Sequence, residues 1–112
     1  MDANCIFCRI IAGEIPSTKV YEDEKTMAFR DLNPQAPVHV LIVPKKHMAN
    51  ILECDAETAA ALTEAVKKVA GIEGLTKDGF RVLSNCGKNG CQSVNHLHIH
   101  VLGGAQLAER MG

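Results

Sequence analysis

The heptapeptide His96-Leu97-His98-Ile99-His100-Val101-Leu102 decides the fold of this chain and points to its chemistry. Histidine alternates with large aliphatic residues, and a period of two predicts a β-strand whose successive side chains point to opposite faces. Leu97, Ile99 and Val101 are then expected to bury one face. Three imidazoles lie on the other, spaced by about 6.6 Å. Since histidine has no preference for strands, this row is more typical of a site for a small substrate or a metal than of an exposed sheet face.

The composition is typical of a soluble, single-domain protein. The 112 residues are 46% hydrophobic and 22% charged, enough for one core. No apolar run approaches the roughly 18 residues of a membrane span, and Met1-Asp2-Ala3-Asn4 does not resemble a signal peptide, so we expect a cytoplasmic protein. The net charge of -1, with both signs interspersed, gives no basic stripe. We therefore expect neither nucleic acid nor membrane as a partner.

The cysteines do not indicate a disulfide framework, because five of them occur without a secretion signal. Cys5-x-x-Cys8 has the spacing of half a zinc site or of a redox pair. A redox pair is the weaker interpretation, since only four residues precede the motif. Zinc needs two further ligands, which His47 and the histidine strand can supply. The remaining alternative is that the thiols only pack. Cys86 and Cys91 flank a glycine-rich turn as candidates for a second thiol pair.

Two helices are predicted from apolar spacing and from residues typical of helix ends. A short helix over 5–12 ends before Gly13. The main helix begins at Asp55, a favourable N-cap. Leu62, Val66 and Val69 form its buried stripe, and Gly71 or Gly74 ends it.

Five short segments have the composition and alternation of β-strands. They cover residues 19–22, 26–31, 38–43, 80–84 and 93–102. With the two helices, they predict an α+β domain with a mostly antiparallel sheet of about five strands.

Several segments match a known family in order along the chain. They are Ile6-Phe7-Cys8-Arg9-Ile10-Ile11, Ala28-Phe29-Arg30-Asp31, Pro34-Gln35-Ala36-Pro37-Val38-His39, Val43-Pro44-Lys45-Lys46-His47, Gly90-Cys91-Gln92-Ser93, the histidine heptapeptide and Leu102-Gly103-Gly104. Together they resemble the Hint branch of the histidine-triad (HIT) superfamily. The resemblance implies a single HIT domain over residues 1–112, a homodimer, and hydrolysis of purine nucleoside phosphoramidates.

The resemblance also implies a catalytic role for each of five residues. His98 is the nucleophile that attacks the α-phosphorus and forms a nucleotidyl-histidine intermediate. The backbone carbonyl of His96 holds its other ring nitrogen. His39 and His100 flank the phosphate, and Ser93 protonates the leaving group.

Nucleotide binding is implied by position within the family pattern. Asp31 resembles the carboxylate that holds the ribose hydroxyls. The apolar base pocket corresponds to Ile6, Phe7, Ile10, Phe29 and Leu32. Contacts to phosphate or ribose correspond to Asn85, Cys91, Gln92, Ser93, Val94, His98 and His100.

The resemblance implies a structural zinc held by Cys5, Cys8, His47 and His96. Four protein ligands close the coordination sphere, so the chemistry is expected to need no metal. One departure from the family is Cys91, which stands where glycine is usual. Its Cβ makes a backbone with positive φ costly.

Three other functions use the same residues. The histidines are suited to a catalytic metal, in which case activity would not survive a chelator. The chain is also suited to a nucleotide-binding scaffold with incidental activity, or to a dinucleoside polyphosphate hydrolase.

Overall fold

The computed structural model describes residues 4–109, and the elements below refer to that range. Residues 1–3, on which the expectation about the N-terminus depends, and residues 110–112 lie outside it. The elements in chain order are α1 (Ile6–Ile11), β1 (Lys19–Glu22), β2 (Thr26–Arg30), β3 (Val38–Pro44), a 3₁₀ turn (Ile51–Glu53), α2 (Ala56–Ile72), β4 (Arg81–Leu83) and β5 (Ile99–Gly103). The predicted α+β fold is confirmed.

The strands form one sheet in the order β1-β2-β3-β5-β4, and every neighbouring pair is antiparallel. The central strand β3 pairs with β2 on one side and β5 on the other. Its Leu41 lies opposite both Phe29 and His100. Residues distant in sequence are therefore brought together on one face.

Alternation along the strands gives the sheet two apolar faces. The α2 face is built from Ala28, Val40, Ile42, Met48, Leu62, Ala65, Val69, Ala70, Leu75, Leu97 and Val101, with Ile99 packed against it. The α1 face is built from Cys5, Phe7, Cys8, Ile10, Met27, Phe29, Leu41 and Val43. The expectation that Leu97, Ile99 and Val101 point away from the histidines is thus confirmed.

The main helix begins and ends where its capping residues predict. The Asp55 carboxylate accepts a hydrogen bond from the Thr58 N–H at 2.7 Å, so Asp55 is the N-cap. At the other end the Leu75 N–H donates to the Ala70 carbonyl, and Gly74 has φ +71°. Of the two candidates Gly74 ends the helix, because glycine adopts the left-handed conformation without a steric cost.

The prediction of a strand over 93–102 is wrong in its first half, because β5 begins only at Ile99. Two features end the ladder there. Pro44 of β3 has no N–H to donate, and its carbonyl accepts from Nε2 of His96 at 2.9 Å. The Leu97 N–H instead donates to the Met48 carbonyl at 2.7 Å. Smaller differences occur at three strands: β2 ends at Arg30, β3 extends to Pro44, and β4 is confined to Arg81–Leu83.

Candidate active site and metal centre

Two cysteines and two histidines meet at the start of α1. Cys5 is the N-cap of that helix and Cys8 its third residue, while His47 follows β3 and His96 precedes β5. The Cys5 Sγ lies 3.2 Å from His96 Nδ1, and the Cys8 Sγ lies 3.3 Å from His47 Nδ1. All four ligand atoms lie within 4.8 Å of one another. The structure therefore brings together the four residues expected to hold zinc.

The donor atoms fit a tetrahedral metal. Metal bonds of about 2.3 Å to sulfur and about 2.0 Å to nitrogen place neighbouring ligands roughly 3.3–3.8 Å apart. The Nδ1 atoms of His47 and His96 are 3.1 Å apart, close to that range. Because Nε2 of His96 donates to the Pro44 carbonyl, its Nδ1 keeps a lone pair that faces the cluster.

The thiols of the cluster favour a bound cation. Burial raises the pKa of the Cys5 thiol, which disfavours a lone thiolate. The Cys8 N–H donates to the Cys5 Sγ at 3.3 Å, a contact that suits a sulfur carrying negative charge. A divalent metal would displace the thiol protons and supply the charge that burial otherwise opposes.

A cavity of about 220 Å³ opens on the α1 face of the sheet. Most residues expected to bind nucleotide line it: Ile6, Phe7, Ile10, Phe29, Asp31, Leu32, Ser93, Val94, His98 and His100. The sequence did not indicate five others, Ile15, Pro16, Ser17, Arg30 and Leu41. The expected contacts Asn85, Cys91 and Gln92 do not line it, and His39 lies behind it, in contact with the lining residues Asp31 and His100.

The ring of His98 is buried and held in one orientation. Its Nδ1 donates to the His96 carbonyl at 2.8 Å, and the Phe7 ring packs edge-on at a centroid distance of 5.1 Å. Because a carbonyl oxygen only accepts, the proton of the neutral ring lies on Nδ1. The Nε2 atom therefore carries a free lone pair. Ser84, the residue after β4, supports this arrangement because its hydroxyl donates a hydrogen bond to the His98 carbonyl at 2.8 Å. Sequence reasoning missed Ser84, since its place at the end of the strand predicted over 80–84 gives no sign of a hydrogen bond to the His98 backbone.

His39 and His100 form a hydrogen-bonded pair with defined protons. The Gln35 N–H donates to Nδ1 of His39 at 3.0 Å, so the proton of neutral His39 lies on Nε2. That Nε2–H donates to Nδ1 of His100 at 2.8 Å, which leaves the His100 proton on its own Nε2. This last atom is buried and has no hydrogen-bond partner in residues 4–109. A ligand oxygen in the cavity is the acceptor that would satisfy it.

Both imidazoles of this pair are neutral at pH 7. Burial, followed by the nearby His98 and His39 rings, lowers the pKa of His100 to about 4. Burial also lowers the pKa of His39, partly offset by the Asp31 carboxylate. The pair is therefore a neutral hydrogen-bond donor to the cavity at neutral pH.

Asp31, His39 and His100 also lie close enough for a metal, with ligand atoms within 4.8 Å of one another. Their protons argue against a catalytic metal there. A metal needs a lone pair on Nε2 of His39, but that atom carries the proton because Nδ1 accepts from Gln35. Metal binding at these three residues would therefore require His39 to give up its hydrogen bond from the Gln35 N–H.

The Asp31 carboxylate lies in the cavity wall just beyond β2. Its Oδ1 accepts from the Asn33 N–H at 2.8 Å, and its Oδ2 lies 3.4 Å from Nε2 of His39. The neighbouring Leu32 side chain is 94% exposed while it lines the same cavity. An anchored carboxylate beside an exposed apolar side chain is suited to a ligand with hydroxyls and an apolar ring.

Cys91 occupies a position that favours glycine. Its φ is +58°, in the left-handed region, and its N–H donates to the Lys88 carbonyl at 3.1 Å. The Gln92 N–H donates to the Gly87 carbonyl at 3.0 Å. This is the hydrogen-bond pattern that ends α2, where the equivalent residue is Gly74. The backbone at Cys91 therefore has the positive φ that is costly for a residue with a Cβ.

We expect Cys91→Gly to stabilise the protein by about 1 kcal/mol, because it removes a Cβ from a left-handed backbone. Urea denaturation measures the change in the free energy of unfolding. Cys91→Ala is the matched control: it removes the thiol but keeps the Cβ, and its stability should equal that of the wild type. Equal stabilisation by both variants would assign the effect to the thiol instead.

Within residues 4–109 no helix is long and apolar enough to cross a membrane.

Comparisons with known proteins give one consistent result. The family model described as "HIT domain" matches residues 12–107. A "14 kDa zinc-binding protein" of Zea mays is 52% identical over 111 residues, covering 95% of this chain and 86% of the relative. "Adenylylsulfatase HINT1" of Arabidopsis thaliana is 45% identical over 111 residues, covering 95% of this chain and 75% of the relative.

Solved structures extend the agreement to the backbone. A HIT family hydrolase from Clostridium thermocellum superposes with a TM-score of 0.95 at 45% identity, covering 99% of both chains. One from Legionella pneumophila gives a TM-score of 0.93 at 46% identity, covering 97% of this chain and all of the other. Since sequence and fold agree over nearly the whole chain, this protein belongs to the HIT domain family, and its similarity to a HINT1 protein is consistent with the Hint branch.

Proposed function

We propose that this HIT protein hydrolyses purine nucleoside phosphoramidates at the α-phosphorus through a covalent nucleotide on His98. The observation that carries the proposal is the 2.8 Å hydrogen bond from Nδ1 of His98 to the His96 carbonyl. It leaves Nε2 as the nucleophilic atom of a buried ring that lines the cavity. Imidazole is a competent nucleophile toward phosphorus at neutral pH.

The reaction proceeds in two displacements. Nε2 of His98 attacks the α-phosphorus, and the new bond to the ring forms as the bond to the leaving amine breaks. Ser93 gives its hydroxyl proton to that amine. In the second step water attacks phosphorus, returns a proton to the Ser93 oxygen, breaks the bond to His98 and releases the nucleoside monophosphate. Ser93 supports this role because it is exposed and lines the same cavity as His98.

His100 and His39 stabilise the charge that develops on phosphorus. The proposal assigns a non-bridging phosphate oxygen as the acceptor for the unpartnered Nε2–H of His100. His39 fixes that proton through its 2.8 Å hydrogen bond. A donor held in place before the reaction is more effective than one that must reorient.

A carboxylate and an apolar surface in the cavity wall support a nucleoside as the group transferred. We propose that Asp31 binds the ribose hydroxyls and that the apolar wall of α1 and Phe29 surrounds the base. Phe7 and Phe29 contact edge-to-face at a centroid distance of 5.5 Å, which gives that wall a rigid aromatic surface. Purines, as the larger bases, bury more area against it.

The proposed metal is a structural zinc at Cys5, Cys8, His47 and His96. When bound, it supplies a fixed crosslink between α1 and the segment before β5, and it has no open position for chemistry. The chain's own contribution to catalysis from this region is the His96 carbonyl, which holds Nδ1 of His98.

We also propose a homodimer, in line with the resemblance to Hint proteins. The edge position of β4 supports this, because its outer side is unpaired within the sheet and its Val82 is 45% exposed.

A second candidate reaction is hydrolysis of adenylyl anhydrides. It is supported by the relative named an adenylylsulfatase. Sulfate leaves without needing a proton, so this reaction uses His98 but not the proton of Ser93. Ser93→Ala should therefore slow a phosphoramidate much more than adenylyl sulfate if both are substrates.

The proposal is tested by mixing the protein with adenosine 5′-phosphoramidate and following AMP release and protein mass after a rapid alkaline quench. We expect turnover and a transient AMP adduct on the peptide that contains His98. AMP release with no adduct at any time would argue against the covalent step. Nucleotide binding with neither adduct nor release would favour the scaffold function.

A further inference from the structure

We propose that Gln92 is a positioning residue that holds segment 87–94 in its active shape before any ligand binds. The inference rests on the proposed function, in which Ser93 of this segment meets the leaving group. Gln92 itself does not line the cavity. It acts through the backbone on either side of it.

The side-chain amide of Gln92 makes three hydrogen bonds to backbone atoms. Its Oε1 accepts from the Gly87 N–H at 2.9 Å. Its Nε2 donates to the Val94 carbonyl at 2.9 Å and to the Ala49 carbonyl at 2.6 Å. Both protons of the amide are thus used within the protein, and neither is available to a phosphate.

These bonds close the segment at both ends. Gly87 is held twice, since its N–H donates to the Gln92 side chain and its carbonyl accepts from the Gln92 N–H at 3.0 Å. Val94, at the other end, accepts from the same amide. Ser93 lies between the two anchors, so its position depends on both.

The segment is also tied to the neighbouring loop. Ala49 accepts from Gln92, and the preceding residue, Met48, accepts from the Leu97 N–H at 2.7 Å. One loop therefore receives a bond from each side of Ser93. That loop begins just after His47. The segment that carries Ser93 is therefore attached to the chain directly beside one of the proposed metal ligands.

Cys91 makes the role of Gln92 necessary. Its left-handed backbone is unfavourable for a residue with a Cβ, so the free segment has a tendency to relax. The bonds on either side oppose that tendency. We therefore expect loss of the Gln92 amide to loosen the segment more when residue 91 is cysteine than when it is glycine.

The first measurement is hydrogen exchange of the ligand-free protein. Gln92→Met keeps the length of the side chain and removes the donors and the acceptor. Gln92→Glu keeps the acceptor for Gly87 and removes both donors. We expect both variants to exchange at least about tenfold faster over 87–94, as loss of one hydrogen bond implies, with a smaller increase in α2 and a circular dichroism spectrum like that of the wild type. Unchanged exchange over 87–94 in both variants would overturn the proposal.

Kinetics with adenosine 5′-phosphoramidate separate positioning from simple structural support. In the folded variants we expect kcat to fall about tenfold and a smaller rise in KM, because Ser93 is displaced while the base pocket is intact. Adding Cys91→Gly to Gln92→Met should recover part of the loss. A rise in KM alone, with wild-type exchange, would indicate that Gln92 contacts the ligand instead and would overturn the positioning role.

Asn89→Asp is the matched control for Gln92→Glu. It adds the same charge to the same segment at an exposed side chain that has no hydrogen bond to the rest of residues 4–109. It should leave exchange over 87–94 unchanged. If the wild type neither turns over the phosphoramidate nor binds AMP, the proposed function fails, while the exchange measurement still decides the role of Gln92.

Discussion

Replacing His98 with alanine is expected to lower turnover of adenosine 5′-phosphoramidate by at least about 10³-fold, because the reaction loses the atom that attacks phosphorus. His98→Asn is expected to lose as much. Its amide keeps polar atoms in the cavity but carries no nucleophilic lone pair on nitrogen. AMP release under saturating substrate measures both effects.

The same variants should retain the nucleotide site. We expect His98→Asn to bind AMP within about threefold of the wild type, since Asp31 and the apolar wall are unchanged. Equilibrium binding and circular dichroism control for folding. Turnover at the wild-type rate in folded His98→Asn would contradict the nucleophile assignment. If His98→Asn does not fold, His100→Asn is compared with the wild type instead. That variant keeps the nucleophile and removes the Nε2–H donor, so it should bind AMP and turn over substrate more slowly.

Replacing Cys8 with serine is expected to remove zinc from the protein and to lower the free energy of unfolding by on the order of 4 kcal/mol. Cys8 is 1% exposed and belongs to both the metal cluster and the core beneath α1. A hydroxyl there is a poor zinc ligand, and loss of a structural metal is among the few single changes with effects of this size. Elemental analysis and urea denaturation measure the two effects.

The control for the zinc prediction is Cys54→Ser. Cys54 is half-buried beside the N-cap of α2 and lies outside the metal cluster. It should keep full zinc content and lose little stability. Wild-type protein purified without zinc, or Cys8→Ser that retains it, would contradict the assignment of the metal site.

Zinc loss should also affect catalysis, though indirectly. The His96 ring is a proposed metal ligand, while the carbonyl of the same residue accepts from Nδ1 of His98 at 2.8 Å. Freeing the ring loosens the backbone that orients the nucleophile. We therefore expect Cys8→Ser to lower kcat more than it raises KM, which a change confined to the base pocket would not do.

Much of the fold followed from local patterns. The apolar stripe of α2, its N-cap Asp55 and the alternation around His100 are properties of short segments. Their physical causes, backbone capping and strand periodicity, act over a few residues. The position of Cys91 is a similar case, since the family pattern already required a backbone that disfavours a Cβ there.

The histidine row shows what local pattern alone does not decide. Alternation correctly placed all three imidazoles opposite Leu97 and Val101. It predicted, however, that the three would act together at one site. In the folded chain His96 turns to the cysteines of α1, while His98 and His100 line the cavity. The separation occurs because Pro44 ends the ladder with β3, so His96 and His98 precede the strand instead of lying within it.

What the sequence by itself determined are the residue types: which side chains are candidates to bind metal, to attack phosphorus or to form an apolar wall. Only the tertiary structure decided their protons and their neighbours. The lone pair on Nε2 of His98 depends on a carbonyl two residues away, and the proton on His100 depends on Gln35, far away in the chain. Likewise, the hydrogen bond from Gln92 to the Ala49 carbonyl, which ties segment 87–94 to a loop remote in sequence, exists only in the folded chain. A hydrogen bond depends on distance and direction, and those are fixed only when segments remote in sequence pack together.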